Sequence, residues 1–354
     1  MSGRRIVVLA GDGIGPEVVA AALRVLAVAC ETSGIQLDVE HALIGAAAVH
    51  ATGDPLPPAT CAALSRADAV LLGAVGDPSL DAAPRARKPE TGLLALRKLL
   101  GVYANLRPVQ VHPALRNRSP LKPERLNGTD LLIVRELTGG LYYGEPRGSD
   151  GVNAVNTLRY SRPEIERVAT VAFAAARGRR KKLLSVDKAN VLETSQLWRA
   201  VVTEMGQAYP DVSLEHIYVD YAAMRLVSDP GTIDVLLTEN LFGDILSDEA
   251  AVLVGSLGLL PSASLGDGPG RFEPIHGSAP SLAGKDVANP IGTIASVALL
   301  LRHGLGEARA ASAVDEAITA TIDAGYRTRD IAEPGETVVG TREMASQIAS
   351  RVRA

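Results

Sequence analysis

Apolar residues along this chain fall into two alternating patterns. Short, nearly continuous β-rich runs occur at residues 5–11 (RIVVLAG), 68–75 (DAVLLGAV), 130–137 (DLLIVREL), 182–188 (KLLSVDK) and 233–240 (IDVLLTEN). Between them lie Ala-rich segments with the spacing of amphipathic helices. This alternation predicts α/β architecture, with helices covering a largely parallel sheet. The start of one helix is written out: SRPE at 161–164 is a capping box from Ser161 to Glu164 with proline in the first turn, and that helix runs to about Arg177 and stops at Gly178. Two stretches, 73–92 and 260–290, are longer than ordinary connectors, which marks them as functional loops. The Gly-rich segment 136–148 (ELTGGLYYGEPRG) reads as strand and turns leading into an arm, VNAVNTLRY, that pairs with something.

A chain of 354 residues is long for one core, so two lobes are expected, and no Pro/Ser/Gly linker separates them. The interior must be aliphatic, because aromatics make up only 3% of the chain. A net charge of −4 gives no general attraction to phosphate backbones, which argues against nucleic acid as a partner. The basic run 177–182 (RGRRKK) is read as cations at a helix C-terminus. Cys30 and Cys61 lie in helical stretches without metal-ligand spacing. With no signal-peptide pattern and no window of membrane-span length, the expected setting is cytoplasmic and reducing, with no membrane partner.

Candidate chemistry clusters in a few places. GDGIGPE (11–17) follows a strand and opens a helix, yet fits neither the dinucleotide fingerprint nor the phosphate-loop motif, so a structural turn and a ligand site both stay open. Arg97, Arg107 and Arg135 lie on segments that can converge, which suits a dicarboxylate gripped by guanidinium forks; separate salt bridges are the plainer reading. In LFGDILSDEA (241–250), Asp244 and Asp248 are one helical turn apart, about 6 Å along the axis. Like charges so placed cost a few tenths of a kcal/mol. With Asp220 at the end of HIYVD they offer hard oxygens for Mg²⁺ or Mn²⁺, against the alternative of a favourable helix N-terminus and a solvated side chain. Lys188, ending a strand, could serve as a base, and Tyr142 as the matching acid.

In order along essentially the whole chain, GDGIGPE, TGLLALRK, ANLRP, RELTGGLYYGEPRG, VDKANVL, YVD, NLFGDILSDEA, PSASLG and EPIHGSAP…GK…ANP resemble the 3-isopropylmalate dehydrogenases, within the wider family of metal-dependent, decarboxylating isocitrate and isopropylmalate dehydrogenases. The resemblance implies an α/β fold that is not a Rossmann fold. Its two α/β domains would be a large cofactor-side domain of 1–102 and 255–354, and a small domain of 103–254 carrying dimerisation and metal chemistry, with a substrate cleft between them. It implies oxidative decarboxylation of 3-isopropylmalate to 4-methyl-2-oxopentanoate with reduction of NAD, as in leucine biosynthesis.

The roles implied are specific. Arg97, Arg107 and Arg135 would hold the malate carboxylates. Asp244 and Asp248, with Asp220 of the partner subunit in a homodimer, would bind Mg²⁺ or Mn²⁺, and Lys188 of the partner subunit would be the base, with Asp220 assisting and Tyr142 as acid. Leu93 and Leu94 stand where the family's isocitrate enzymes place polar residues, so they would receive an isopropyl group, while Glu90 rejects a further carboxylate and lies near the nicotinamide. Ile14, Gly76, Glu273, His276, Gly277, Ser278, Ala279, Pro280, Ser281 and Asn289 would line the dinucleotide. Ser281 departs from the Asp typical of NAD-type members, which implies NAD preference with weakened discrimination against NADP. The sister enzymes acting on tartrate, malate, homoisocitrate or other alkylmalates are the nearest alternative, and a non-catalytic dicarboxylate or metal binder the more distant one.

Overall fold

The computed structural model describes residues 3–353. The chain opens with β1 (Arg4–Gly11), α1 (Gly15–Ser33), β2 (Leu37–His41), α2 (Gly45–Thr52), α3 (Pro58–Leu64), β3 (Ala69–Ala74) and α4 (Pro89–Leu100). It continues through β4 (Val102–Gln110), β5 (Asp130–Glu136), β6 (Gly148–Ser149), β7 (Ala154–Val155), α5 (Arg162–Arg177), β8 (Lys182–Asp187), α6 (Glu193–Gly206), β9 (Ser213–Tyr218), α7 (Val219–Ser228), β10 (Val235–Thr238) and α8 (Asn240–Ala251). It closes with β11 (Pro261–Gly266), β12 (Gly270–Pro274), α9 (Ile291–Leu299), α10 (Ala308–Asp323), β13 (Tyr326–Arg327), β14 (Thr337–Val338) and α11 (Thr341–Ala349). These elements form two compact units, Met1–Val102 with Ser256–Ala354, and Tyr103–Gly255.

In the first unit the strands run in the order β2-β1-β3-β12-β11. All neighbours are parallel except β11 and β12, which are antiparallel. Ile6, Val7, Val8 and Leu9 are all buried, as are Val70, Leu71 and Leu72. A strand buried on both faces must be apolar at successive positions, which is why these runs do not alternate. α1 packs against α9, α10 and α11, and α2 against α4.

In the second unit the order is β4-β5-β10-β8-β9, with β4 antiparallel to β5 and the rest parallel. Register places Thr238 opposite both Arg135 and Val186. The residues that follow these strands therefore leave the sheet side by side at its carboxyl edge, where ligands bind in parallel α/β sheets. α5 starts at the capping box and runs to Arg177, with Ser161 as its N-cap and Gly178 following. α8 packs on β5 and on α7.

Several expectations need correction. The strands are largely parallel, as expected, but not wholly so, because β4 and β11 each run antiparallel to a neighbour. The stretch 260–290 is not one loop: it contains the β11–β12 hairpin, whose proline and glycine boundaries hid two short strands. Asp220 does not end a strand but sits in the first turn of α7, where a carboxylate is favoured by the helix dipole. Within one chain the start of the arm closes into a small exposed hairpin, Gly148–Ser149 with Ala154–Val155. The basic run does begin at a helix C-terminus, with Arg177 in the last turn of α5, and it also makes ion pairs: Arg177 binds Asp211, and Arg179 binds both Asp130 and Asp234. Cys30 is buried and Cys61 half-buried, both as free thiols; burial, reinforced by Glu307, pushes the Cys30 thiol up to about 11. Among the described residues no helix is long and apolar enough to cross a membrane.

Candidate active site

The second unit holds two clusters. The first is built on α8, which projects Asp244 and Asp248 from one face. Arg135, near the end of β5, is 1% exposed. Its Nε and Nη2 donate to Asn240 Oδ1 at 3.2 and 2.8 Å, and its Nη1 is paired with Asp244. Arg107, on β4, donates to Asn105 Oδ1 at 2.8 Å and Ser247 Oγ at 2.6 Å, and its Nη1 lies 3.5 Å from Asp248. Tyr142, in a single helical turn after β5, donates its hydroxyl to Asp244, and its ring lies 5.7 Å from the Arg135 guanidinium carbon.

Burial opposes ionisation of Asp244, but Arg135, the Tyr142 hydroxyl and Arg107 outweigh it and hold the carboxyl below its usual range. The repulsion between Asp244 and Asp248, worth a few tenths of a kcal/mol, is thus offset by two guanidinium groups facing the same turn. Asp244 is half-buried, whereas Asp248 is 69% exposed and available to solvent-borne groups.

The second cluster gathers Lys188, just after β8, and Asp220, at the start of α7. Their side chains form an ion pair, and the Lys188 ammonium holds the Asp220 carboxyl below its ordinary range. Ser195 Oγ accepts the Lys188 backbone N–H at 3.0 Å, fixing the residue as the chain leaves the sheet. Among the described residues no three His, Cys, Asp or Glu side chains converge as a set of metal ligands. Asp220 is therefore grouped with Lys188 and not with Asp244 and Asp248.

In the first unit GDGIGPE, left open by the sequence, meets the HGSAP segment (276–280). Gly13 has φ +57°, and a Cβ there would lie 2.0 Å from the Ser278 carbonyl oxygen. Ile14 N–H donates to that oxygen at 2.8 Å. Glycine is thus required for GDGIGPE to press against the HGSAP loop. The Asp12 carboxylate accepts from the backbone N–H groups of Ala46, Ala47 and Gly76 at 3.0, 2.8 and 2.8 Å, tying three segments together. A Cβ on Gly76 would lie 3.5 Å from Ser278 Oγ and 3.7 Å from Glu90, so these three share one locality.

His276 has Nδ1 2.9 Å from the Gly277 carbonyl and a buried Nε2 with no partner among the described residues; burial lowers its pKa and keeps the ring neutral. Asn289 donates to Asp330 at 3.0 Å and accepts from Ile291 N–H at 3.0 Å. Glu273 pairs with buried Arg271 at 2.5 Å. Ala279 adopts a left-handed conformation (φ 37°) that turns the chain into Pro280–Leu282, leaving Ser281 exposed. On α4, Glu90, Leu93, Leu94 and Arg97 recur at intervals that share one helix face. Both leucines are half-buried, and Arg97 Nε is buried with no partner among the described residues.

The sequence reading missed Asp12, Asn105, Asn240, Ser247 and Asp330. Each is a single polar residue that acts through one or a few hydrogen bonds, which leaves no pattern in the sequence.

Arginines, paired aspartates and a phenol are gathered around α8 and β5, a set of groups whose chemistry suits an anion together with a hard cation. The chain belongs to the isocitrate/isopropylmalate dehydrogenase family, whose model matches residues 5–348. It is 55% identical over 354 residues to a 3-isopropylmalate dehydrogenase of Anaeromyxobacter dehalogenans, covering 98% of this chain and 99% of that one. It is 53% identical over 348 residues to the 3-isopropylmalate dehydrogenase of Aquifex aeolicus, covering 97% and 96%. Among solved structures, isocitrate dehydrogenase from Methylococcus capsulatus superposes with a TM-score of 0.88 at 36% identity, covering 99% of this chain and 100% of that one. A beta-decarboxylating dehydrogenase from Thermococcus kodakarensis gives 0.82 at 35% identity, covering 99% and 96%.

The packing of α8 on Arg135 makes a direct prediction. A Cβ at Gly243 would lie 2.5 Å from Arg135 Cγ and 2.8 Å from its Cβ. Gly243→Ala is expected to destabilise the protein by about 1–3 kcal/mol in urea unfolding. Stability equal to that of the parent would mean that Arg135 is free to move.

Proposed function

We propose that this protein catalyses the NAD-dependent oxidative decarboxylation of 3-isopropylmalate to 4-methyl-2-oxopentanoate, a step of leucine biosynthesis. The observation that carries the reading is the Arg107–Arg135–Asp244–Asp248–Tyr142 cluster in a chain 52–55% identical to 3-isopropylmalate dehydrogenases. Arg97, Arg107 and Arg135 would orient the two malate carboxylates. Leu93 and Leu94 favour the isopropyl group, because a carboxylate set against them would lose its hydration without gaining a partner. Glu90 adds like-charge rejection of a third carboxylate. Those two leucines favour isopropylmalate over isocitrate, the substrate in the name of one solved relative.

Asp244 and Asp248 suit a hard divalent ion: Asp244 is kept ionised by its cationic neighbours, and Asp248 is open to solvent. The ligand set would be completed by Asp220 of the partner subunit. Mg²⁺ or Mn²⁺ held there supplies positive charge that lowers the pKa of the 2-hydroxyl and draws electrons towards its oxygen. NAD, when bound, supplies the acceptor for the C2 hydride.

Lys188 of the partner subunit, as the free amine after giving up a proton through Asp220 of the partner subunit, would accept the hydroxyl proton. Oxidation leaves a ketone β to the second carboxylate. That carboxylate departs as CO₂, its bonding pair passing towards the ketone oxygen, and the Tyr142 hydroxyl then protonates C3. Pairing of Tyr142 with Asp244 keeps the acid beside the ion.

Sharing between subunits is supported by an uncovered apolar face: Tyr221 and Met224 on α7, Ile245 on α8 and Val252 just after it are all exposed. The small hairpin, with exposed Val152 and Val155, is a second proposed contact of the homodimer. The dinucleotide is assigned to the first unit, along Ile14, Gly76, Glu90, Glu273 and residues 276–281, with Asn289. The neutral His276 ring and its Nε2, without a partner among the described residues, fit an adenine neighbour.

The purified protein is expected to form NADH from 3-isopropylmalate with Mn²⁺, to lose that activity with chelator, and to turn over isocitrate and tartrate poorly. Turnover of a sister substrate instead, or binding of metal without turnover, would overturn the assignment. Ser281→Asp should raise the NAD-to-NADP ratio of kcat/KM roughly tenfold by restoring repulsion of a 2′-phosphate, a difference near 1.4 kcal/mol; an unchanged ratio would remove Ser281 from the dinucleotide site.

A further inference from the structure

Beneath the α8 cluster lies a buried polar knot that the proposed reaction does not use. Glu136 is 0% and Glu239 6% exposed, and the Tyr160 hydroxyl stands between them, 3.1 Å from Glu136 Oε2 and 3.3 Å from Glu239 Oε2. The same hydroxyl accepts the backbone N–H of Asn240 at 3.0 Å. Tyr160 is held in place from several sides. Trp198 meets its ring edge-on at 5.7 Å, Ser161 begins the α5 capping box directly after it, and a Cβ on Gly140 would come within 2.6 Å of its hydroxyl oxygen.

A phenol carries one proton, so it can donate to one carboxylate only. The second carboxyl must bring its own proton or set a bare charge against the lone pairs of the phenol oxygen in a dry site. The remaining donors say which carboxyl is which. Glu136 accepts from Thr138 N–H at 2.9 Å, Thr138 Oγ at 3.0 Å and Gly139 N–H at 2.8 Å, and Arg167 lies 3.7 Å away. Such a set stabilises an anion. Glu239, the N-cap of α8, accepts the backbone N–H of Phe242 at 2.8 Å on Oε1 and that of Leu241, two donors against the three on Glu136, and its Oε2 faces Tyr160. Asp187, which lines the same small cavity as Glu239, is itself paired with Arg199, so that guanidinium is already engaged. Burial raises the pKa of both Glu136 and Glu239, and burial with the two carboxyls pushes that of Tyr160 up.

We infer that Glu239 is kept as a neutral acid at neutral pH and donates to Tyr160, which donates to Glu136, and that this one-way relay positions the first turn of α8. Each group then has a partner: Glu239 Oε2–H to Tyr160 Oη, Tyr160 O–H to Glu136 Oε2, and Asn240 N–H to Tyr160 Oη. Asn240 is the element that transmits the effect. Its Nδ2 donates to the Gly139 carbonyl at 3.1 Å, and its Oδ1 holds two nitrogens of Arg135. Tyr160 and Glu239 are thus positioning residues acting through Asn240 on Arg135 and on the turn that carries Asp244. The part of the inference that concerns Arg135 rests on the substrate reading above; the protonation of Glu239 does not.

Infrared difference spectra between the parent and Glu239→Gln at neutral pH test the proton directly. The expected result is the carbonyl stretch of one protonated carboxylic acid, lost in the variant; carboxylate bands alone would overturn the inference. Kinetics test positioning. Tyr160→Phe should raise KM for 3-isopropylmalate roughly tenfold while leaving KM for NAD unchanged, because one buried hydrogen-bond hub is lost. Glu239→Gln, whose amide replaces the donor, should stay within about threefold of the parent in both, whereas Glu239→Ala should follow Tyr160→Phe. Equal rises in both KM values, or no difference between the Gln and Ala variants, would overturn positioning. A parent enzyme that does not act on 3-isopropylmalate would defeat the substrate reading, and the infrared result would still decide the proton.

Discussion

The guanidinium of Arg135 is the charge around which the second unit is arranged. Withdrawn almost completely from water, it survives only because every direction is answered: Asn240 on two nitrogens, Asp244 on a third, and the ring of Tyr142 nearby. Breaking a buried pair of this kind costs about 3–5 kcal/mol, and the half-exposed Asp244 sets this one towards the lower end. The requirement propagates outward. α8 must approach closely enough to need Gly243, its first turn must present Asn240, and Asp248 is then carried one turn on towards solvent, beside Arg107. The charged surface around α8 is in this sense a by-product of how one buried cation is satisfied.

The first unit solves a different problem, the close approach of backbones. Gly13 lets the turn after β1 touch the Ser278 carbonyl, and Asp12 gathers the amides of α2 and of Gly76. Because the turn is committed to shaping a neighbouring loop, it has no need of the glycine spacing that cradles a pyrophosphate. That accounts for a motif that looks like a nucleotide loop and matches none of the nucleotide patterns. Asp330, holding Asn289, Ser256 and Thr328 together, plays the corresponding part on the other side of that loop.

Much of this was legible in the sequence wherever a physical requirement leaves a run of residues. β1, β3, β5, β8 and β10 had to be apolar at successive positions, and the Ser161–Glu164 box marked the start of α5. β2 and β9 lie at the ends of their sheets, and their mixture of polar and apolar residues imposes no such run. β11 and β12 were masked by the prolines and glycines that bound them. The charged members of the candidate site could be named because arginine, lysine and aspartate beside apolar runs need partners. Their grouping could not be read in the same way, since it depends on strand register, which brings Arg135 level with Thr238 and sends Asp220 to Lys188 instead of Asp244. Asn240 and Tyr160 were illegible for the opposite reason: each acts through one hydrogen bond in the right place, which leaves no pattern.

The two clusters of the second unit remain separate within one chain, and the central claim is that they act on one substrate by pairing across two copies. The most direct measurement mixes Lys188→Ala and Asp244→Ala proteins, each inactive alone, under conditions that exchange subunits. If the sites are shared, every mixed dimer regains one intact site, and an equal mixture recovers about a quarter of parental NADH formation from 3-isopropylmalate. No recovery, with mixed dimers demonstrated by mass, would place Lys188 and Asp244 in the same subunit's site and contradict the account.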